Sequence, residues 1–255
     1  MPGYTSLPLF PNSKESMFRE KTVSVIIPAY NEEQTIGDVV RDYAACPDVD
    51  EVLVVDNNCR DRTAELAAEA GARVISESAP GYGRALLAGM RAATSDIFVL
   101  TEADGSFKAS DLEKLLVYLD DANMVCGTRT TRQMVQQAAN MGFFLRWGNV
   151  TMAKYLEACW YLKCEPRLTD VGCTYRALWR STFETIEDSL TCAGPSFSPE
   201  MMCEVLMKDL RVIEIPVNYH PRLGGSSKHS ESFFKVCKTA WGMFRIITRK
   251  RFLGR

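Results

Sequence analysis

The sequence predicts an α/β fold: a single domain built on a mostly parallel sheet, flanked by helices on both faces, with a C-terminal amphipathic helix. Three observations carry this prediction. Short apolar runs alternate with helical stripes from Val23 to Gly127. The runs are continuously apolar, as strands covered on both faces must be. A helix-length segment separates most of them from the next, which is the connection parallel strands require.

Residues 1–21 hold three prolines and no sustained period, so they read as an irregular lead-in. Residues 23–27 (VSVII) form a first β-branched strand that ends at Pro28. Residues 32–46 follow, with Ile36, Val39, Val40, Tyr43 and Ala44 on one helical stripe. EVLVV (51–55) is a second strand, closed by Asp56. RTAELAAEAGA (62–72) is a helix with Gly71 placed as its C-terminal cap. Segments 73–76, 83–93 and 96–101 then read strand, helix, strand. Segment 110–121 is a further helix, and NMVCG (123–127) a further strand. In the second half, 141–163 is a long aromatic-rich helix, and 196–209 a packing helix opened by Ser198-Pro199-Glu200. Segment 211–219 alternates Ile213, Ile215, Val217 and Tyr219 on one face, with Pro216 marking it as an edge strand.

Composition bounds the function. With 255 residues, 46% of them hydrophobic, the chain can bury one substantial core. A formal net charge of −2 gives no global attraction to nucleic acid, so any anion site must be local. Nine cysteines form no Cys-x-x-Cys pair, and no signal-peptide pattern opens the sequence. They are expected to be reduced core residues of a cytoplasmic protein. Two histidines exclude a histidine-rich metal site, and no apolar stretch reaches membrane-span length.

Ligands of parallel sheets bind beyond the carboxyl ends of the strands. There the sequence places residues 28–32, 56–58 and 102–104, which are rich in acidic and turn residues. The run VLTEADGSF (99–107) poses the sharpest question, because it ends a buried strand on two carboxylates, Glu102 and Asp104. Asp-Gly is a common turn pair, and a solvated turn is the simplest account. Phosphate cradles of glycine are missing, however. The first strand leads into PAYNEE without glycine, the single Gly81-x-Gly83 lacks its third glycine, and there is no Walker loop. A divalent cation held by the two carboxylates would neutralise them and bridge a diphosphate.

The runs VSVIIPAYNEE, VLVVDNNCRDRTAE, GYGRALLAG and LTEADGS together resemble the nucleotide-binding half of family 2 glycosyltransferases of the GT-A (Rossmann-like) fold. GTR (127–129), DVGCTYRAL (170–178) and VIEIPVNYHPRLGGSSK (212–228) resemble its polyprenyl-phosphate branch. The resemblance implies a GT-A domain over 22–230, with a nucleotide-sugar half (22–129) and an acceptor half (130–230). Pro28, Tyr30, Glu32, Asp56 and Ala103 would then contact the nucleotide. Glu102 and Asp104 would hold Mg²⁺ or Mn²⁺, with Ser106 as a third oxygen. Glu102 stands where the family usually has aspartate, so Asp104 is expected to be the stronger ligand. Asp104, Asp170 and Arg129 are the implied catalytic residues, and Arg129, Arg146, Arg222 and Lys228 the implied acceptor-phosphate contacts.

Segment 231–255 carries seven Lys/Arg from Lys235 onward and no acid after Glu231. Such a basic amphipathic helix can lie in a bilayer interface or pack on the domain. A phosphate monoester acceptor is already largely dianionic near neutral pH, since its second pKa is about 6. It needs cations to place it, whereas a hydroxyl acceptor needs a general base, for which Asp170 is the candidate. The expected activity is metal-dependent, inverting transfer of a hexose from a GDP- or UDP-sugar to a polyprenyl phosphate, with peripheral contact to the cytoplasmic membrane face and no nucleic-acid partner. A family 2 transferase with a hydroxyl acceptor, and a non-catalytic sugar-nucleotide-binding protein, are the alternatives.

Overall fold

The computed structural model describes residues 20–135, 143–224 and 233–254. Its elements in chain order are β1 (Val23–Ala29), α1 (Ile36–Ala44), β2 (Glu51–Asp56), α2 (Thr63–Glu69), β3 (Arg73–Ser76), α3 (Tyr82–Ala92), β4 (Ile97–Leu100), α4 (Leu112–Tyr118) and β5 (Met124–Thr128). There follow α5 (Phe143–Cys164), β6 (Arg176–Trp179), α6 (Arg180–Ile186), α7 (Phe197–Met207), β7 (Val212–Pro216) and α8 (Phe233–Leu253).

The seven strands form one sheet in the order β3-β2-β1-β4-β6-β5-β7. All pairings are parallel except those of β6, which runs antiparallel to both neighbours. The predicted alternation omits β6 and α6. The reason is Arg176, a charged residue at the head of a four-residue strand, which masks the apolar pattern. It is nonetheless buried, its guanidinium donating to the carbonyls of Val171, Cys173 and Ser198. Pro28 also differs from expectation: it lies inside β1, in register with Val55, and the strand continues to Ala29. β7 is an edge strand, as Pro216 predicts.

Successive side chains of a strand point to opposite faces, and here both faces are covered. Val25 and Ile27 of β1, Val52 and Val54 of β2, and Ile97 and Val99 of β4 pack with Ile36, Val39, Val40 and Tyr43 of α1 and with Leu112, Leu115 and Leu116 of α4. Ile26, Leu53, Val55, Phe98 and Leu100 face the opposite way, against α3, α5, α6, α7 and α8. Ala44, placed on the α1 stripe from sequence, is exposed at the helix end. α8 is part of this second layer through Met243, Ile246 and Ile247. Lys250 is only 3% exposed, pairs with Glu200 and Glu204 of α7 at 3.3 and 2.5 Å, and donates to the Ser189 carbonyl. Of the two readings of the C-terminal helix, packing on the domain is the one seen, although its outer face stays open.

All nine cysteines are free thiols, with Cys126, Cys173 and Cys203 buried. Among the described residues, no helix is long and apolar enough to cross a membrane.

Candidate active site

The carboxyl ends of β1, β2 and β4 open onto a cleft of about 560 Å³. One wall is the turn after β1, from Pro28 to Glu32. Asn57, Asn58 and Arg60 after β2 form another, and Pro80 to Tyr82 at the head of α3 a third. Glu102, Ala103, Asp104 and Arg222 close it.

Local folding explains why these groups converge. Asn57 is a staple: its amide donates to the carbonyls of Glu77 and Ala79, and its oxygen accepts from Gly81 N–H. Asp56, expected at the nucleotide, accepts the Cys59 N–H on one carboxylate oxygen at 2.8 Å and is not among the residues lining the cleft. Ala103 is held by Thr35, whose hydroxyl donates to its carbonyl. Gly105 takes φ +74°, and a Cβ there would meet Leu223 Cδ1 at 2.5 Å. Only glycine allows both the turn and the approach of the 220–223 segment. That segment is fastened by His220 N–H to the Ser106 carbonyl and Leu223 N–H to the Asp104 carbonyl.

The acidic pair is thus not a solvated turn. Asp104 is 3% exposed; it accepts the Ser106 N–H at 2.9 Å and pairs with Arg222 Nη2 at 3.0 Å. Glu102 accepts from the Thr174 hydroxyl at 2.8 Å and from the Ser106 hydroxyl at 3.4 Å. Burial, together with the Asp104 charge, pushes the Glu102 carboxyl up to about 7, against the pull of Arg129, Thr174 and Arg222. A second carboxylate raised beside a first is a site short of positive charge. The donor set fits a hard divalent ion of the Mg²⁺ type, which takes one or two carboxylates and completes its shell with phosphate oxygens and water. Ser106 is fully buried and serves this pair as a hydrogen-bond donor.

Arg129 and Asp170 come together, although 41 positions apart, in a bidentate pair at 2.9 and 3.0 Å. Asp170 also accepts the backbone N–H of Arg129 and of Gly172 and has no exposed surface. Its carboxylate is therefore committed to Arg129, and the structure shows no free edge from which it could take a substrate proton. Arg129 Nη1 lies outside that pair, and the guanidinium stacks 5.4 Å from the Tyr219 ring centroid. Arg146, on the first turns of α5, is half-buried and does not line the cleft. Lys228 lies outside the described residues, as do residues 1–19 of the lead-in. Asn57 and Asn58 fall in the 56–58 stretch that the sequence places at the ligand edge, whereas Arg60, Tyr82 and Thr174 carry no sequence signal of their own. The DNN run (56–58) and Gly81-x-Gly83 were the available signals, but neither identifies which side chains face a ligand.

Comparison with known proteins agrees with this architecture. An uncharacterised glycosyltransferase of Mycobacterium tuberculosis is 36% identical over 213 residues, covering 82% of this chain and 90% of the relative. A dolichyl-phosphate hexose transferase of Haloferax volcanii is 30% identical over 224 residues, covering 84% and 93%. Glucosyl-3-phosphoglycerate synthase of M. tuberculosis, crystallised with Mn²⁺, UDP and phosphoglyceric acid, superposes with a TM-score of 0.73 at 19% identity, covering 93% of this chain and 81% of that one. The likeness shows the GT-A fold. Residues 24–180 match the family described as Glycosyl transferase family 2, and the chain belongs to that family.

Proposed function

We propose that this glycosyltransferase uses Mg²⁺ or Mn²⁺ to move a hexose, with inversion, from a GDP- or UDP-sugar to a polyprenyl phosphate at the cytoplasmic face of a membrane. The observation that carries the reading is the cleft end itself. A buried carboxylate and a half-buried one, the latter with its pKa raised to about 7, meet an arginine on a fastened loop. A divalent ion at Glu102 and Asp104 would supply electrostatic stabilisation of the departing diphosphate. Pro28, Tyr30, Glu32 and Ala103 line the cleft where the nucleotide would lie. Arg222 then has two states, paired with Asp104 when the donor is absent and free to meet phosphate oxygens when it is present. Asp170 acts as a positioning residue that orients Arg129 toward an anionic acceptor.

Two observations favour the lipid phosphate. The relative from H. volcanii is named a dolichyl-phosphate hexose transferase. The outer faces of α5 and α8 also leave Trp147, Tyr161, Leu162, Trp241, Phe252 and Leu253 exposed, beside the exposed cations Lys238, Arg245, Arg249 and Arg251. Aromatics at an apolar–polar boundary and cations over it suit an anionic bilayer surface. The deciding experiment offers a panel of sugar nucleotides with Mn²⁺, with and without a short polyprenyl phosphate. Turnover should require the lipid phosphate; equal transfer to a hydroxyl acceptor such as phosphoglycerate would refute the acceptor assignment.

A further inference from the structure

Among the described residues, two buried side-chain atoms lack a hydrogen-bond partner: Arg222 Nε and the Tyr82 hydroxyl. Both residues line the same cleft. Buried polar atoms are almost always paired, so two orphans on one cleft point to the oxygens of a ligand. Arg222 is accounted for by the diphosphate. Tyr82 is not.

The position of Tyr82 is rigid. It is the first residue of α3, and the flanking Gly83 N–H donates to the Ala193 carbonyl at 2.8 Å. A Cβ on Gly81 would lie 2.6 Å from that same carbonyl oxygen, so the chain is pressed against the segment before α7. The charged and polar groups that act on the phenol are Glu102, Arg176, Cys173 and Ser198. These lie at the carboxylate pair and on the acceptor half, whereas Tyr30, Asn58 and Arg60 mark the other walls of the cleft. Burial first, and Glu102 second, raise the phenol pKa, so the hydroxyl stays protonated and able to donate.

A nucleotide sugar has a fixed order: base, ribose, diphosphate, sugar. With the diphosphate at Glu102, Asp104 and Arg222, the group adjoining Glu102 toward residues 173–176 faces the sugar. Resting on the nucleotide-sugar reading above, we propose that the Tyr82 hydroxyl hydrogen-bonds a hydroxyl of the transferred hexose and is a specificity-determining residue for the donor. A neutral hydroxyl suits that task, since it can donate to or accept from a sugar hydroxyl and adds no charge to the diphosphate end. An unpaired site hydroxyl also rejects a sugar lacking the matching group, because the desolvated phenol is then left without its partner.

Tyr82→Phe removes one oxygen and keeps the ring. Four measurements on the full chain, each beside the unsubstituted protein, test the assignment. Mn²⁺-dependent affinity for UDP and GDP should be nearly unchanged. The kcat/KM for the sugar donor should fall roughly ten- to a hundredfold. One monodeoxy donor should reproduce that loss in the unsubstituted protein and add nothing to it in Tyr82→Phe. Melting of the ligand-free variant should change little, because the hydroxyl has no hydrogen-bond partner of normal geometry and Ser198 is the one hydroxyl acting on it. Equal loss of affinity for UDP or GDP alone would assign Tyr82 to the diphosphate and overturn the proposal. A lower melting temperature with unaltered donor kinetics would make the hydroxyl structural, and additive losses for every deoxy sugar would place it away from the hexose. If the unsubstituted protein binds no nucleoside diphosphate or nucleotide sugar with Mn²⁺, the donor reading itself has failed, an outcome separate from any of these.

Discussion

At the level of single residues, Glu102 and Asp104 make opposite demands. Asp104 is held by a backbone N–H and by Arg222, so its oxygens are already placed for a cation. Asp104→Asn keeps an acceptor for Ser106 but loses charge. We predict loss of Mn²⁺-dependent donor binding with little change in melting temperature; retained binding would show that Asp104 is not a ligand. Glu102→Asp should retain turnover, because the shorter carboxylate is the residue the family usually carries there. The pH dependence follows from the raised pKa of Glu102. Its folded value, about 7, exceeds the ordinary glutamate value of 4.5, so the folded state holds a proton that the unfolded state releases between those values. Stability contributed by this group is therefore present below about pH 4.5, declines as pH rises toward 7, and levels off above it. Metal binding must expel that proton, so Mn²⁺ affinity should rise by up to about tenfold per pH unit below 7 and flatten above. Titration calorimetry from pH 5.5 to 8, run in buffers of different ionisation heat, measures both; a flat profile would remove Glu102 from the metal site. Asp170 behaves differently. Asp170→Asn leaves Arg129 half-paired and nearly buried, which should cost about 3–5 kcal/mol in denaturant unfolding. A cost near zero would mean that the pair is not formed in solution.

Among the elements, α8 is the one for which the sequence leaves two readings open, a bilayer-surface helix and a helix packed on the domain. Its charge pattern alone fits a membrane-surface helix, yet Met243, Ile246 and Ile247 are core and Lys250 is buried among two glutamates and a carbonyl. Removing one partner of a buried charge cluster strands the others. Lys250→Met should therefore destabilise the protein by about 3–5 kcal/mol, read from equilibrium unfolding. Truncation before α8 exposes the layer over α7, and each large apolar side chain so stripped forfeits about 1.5–3 kcal/mol. Against a total of about 5–15 kcal/mol, the truncated chain should fail to fold. A folded, active truncation product would show that α8 is dispensable.

For the molecule as a whole, the cleft and the exposed aromatics of α5 and α8 share no residue, and their tasks can be separated. Trp241 and Phe252 are 66% and 67% exposed, so replacing both with alanine should leave the melting temperature unchanged. Co-sedimentation with phosphatidylglycerol vesicles should fall, while turnover on a detergent-soluble short acceptor persists. Unchanged sedimentation would separate this face from any bilayer.

The amino-acid pattern alone established the strand–helix alternation, the parallel sheet and the acidic ends of its strands. These depend on local periodicity and on a rule that puts ligands at strand carboxyl ends, and neither needs long-range information. It also located Glu102, Asp104 and Arg222 through ordered motifs. Folding decided what contact order conceals. β6 enters the sheet antiparallel between β4 and β5, with Arg176 at its head buried because backbone carbonyls, not a carboxylate, satisfy it. Asp170 becomes the partner of Arg129 across 41 positions, and one oxygen of Asp56 accepts the Cys59 N–H. Tyr82 becomes notable only when its hydroxyl is enclosed without a partner. A residue's type states which bonds it can make, but only the enclosed geometry states which of them remain unmade.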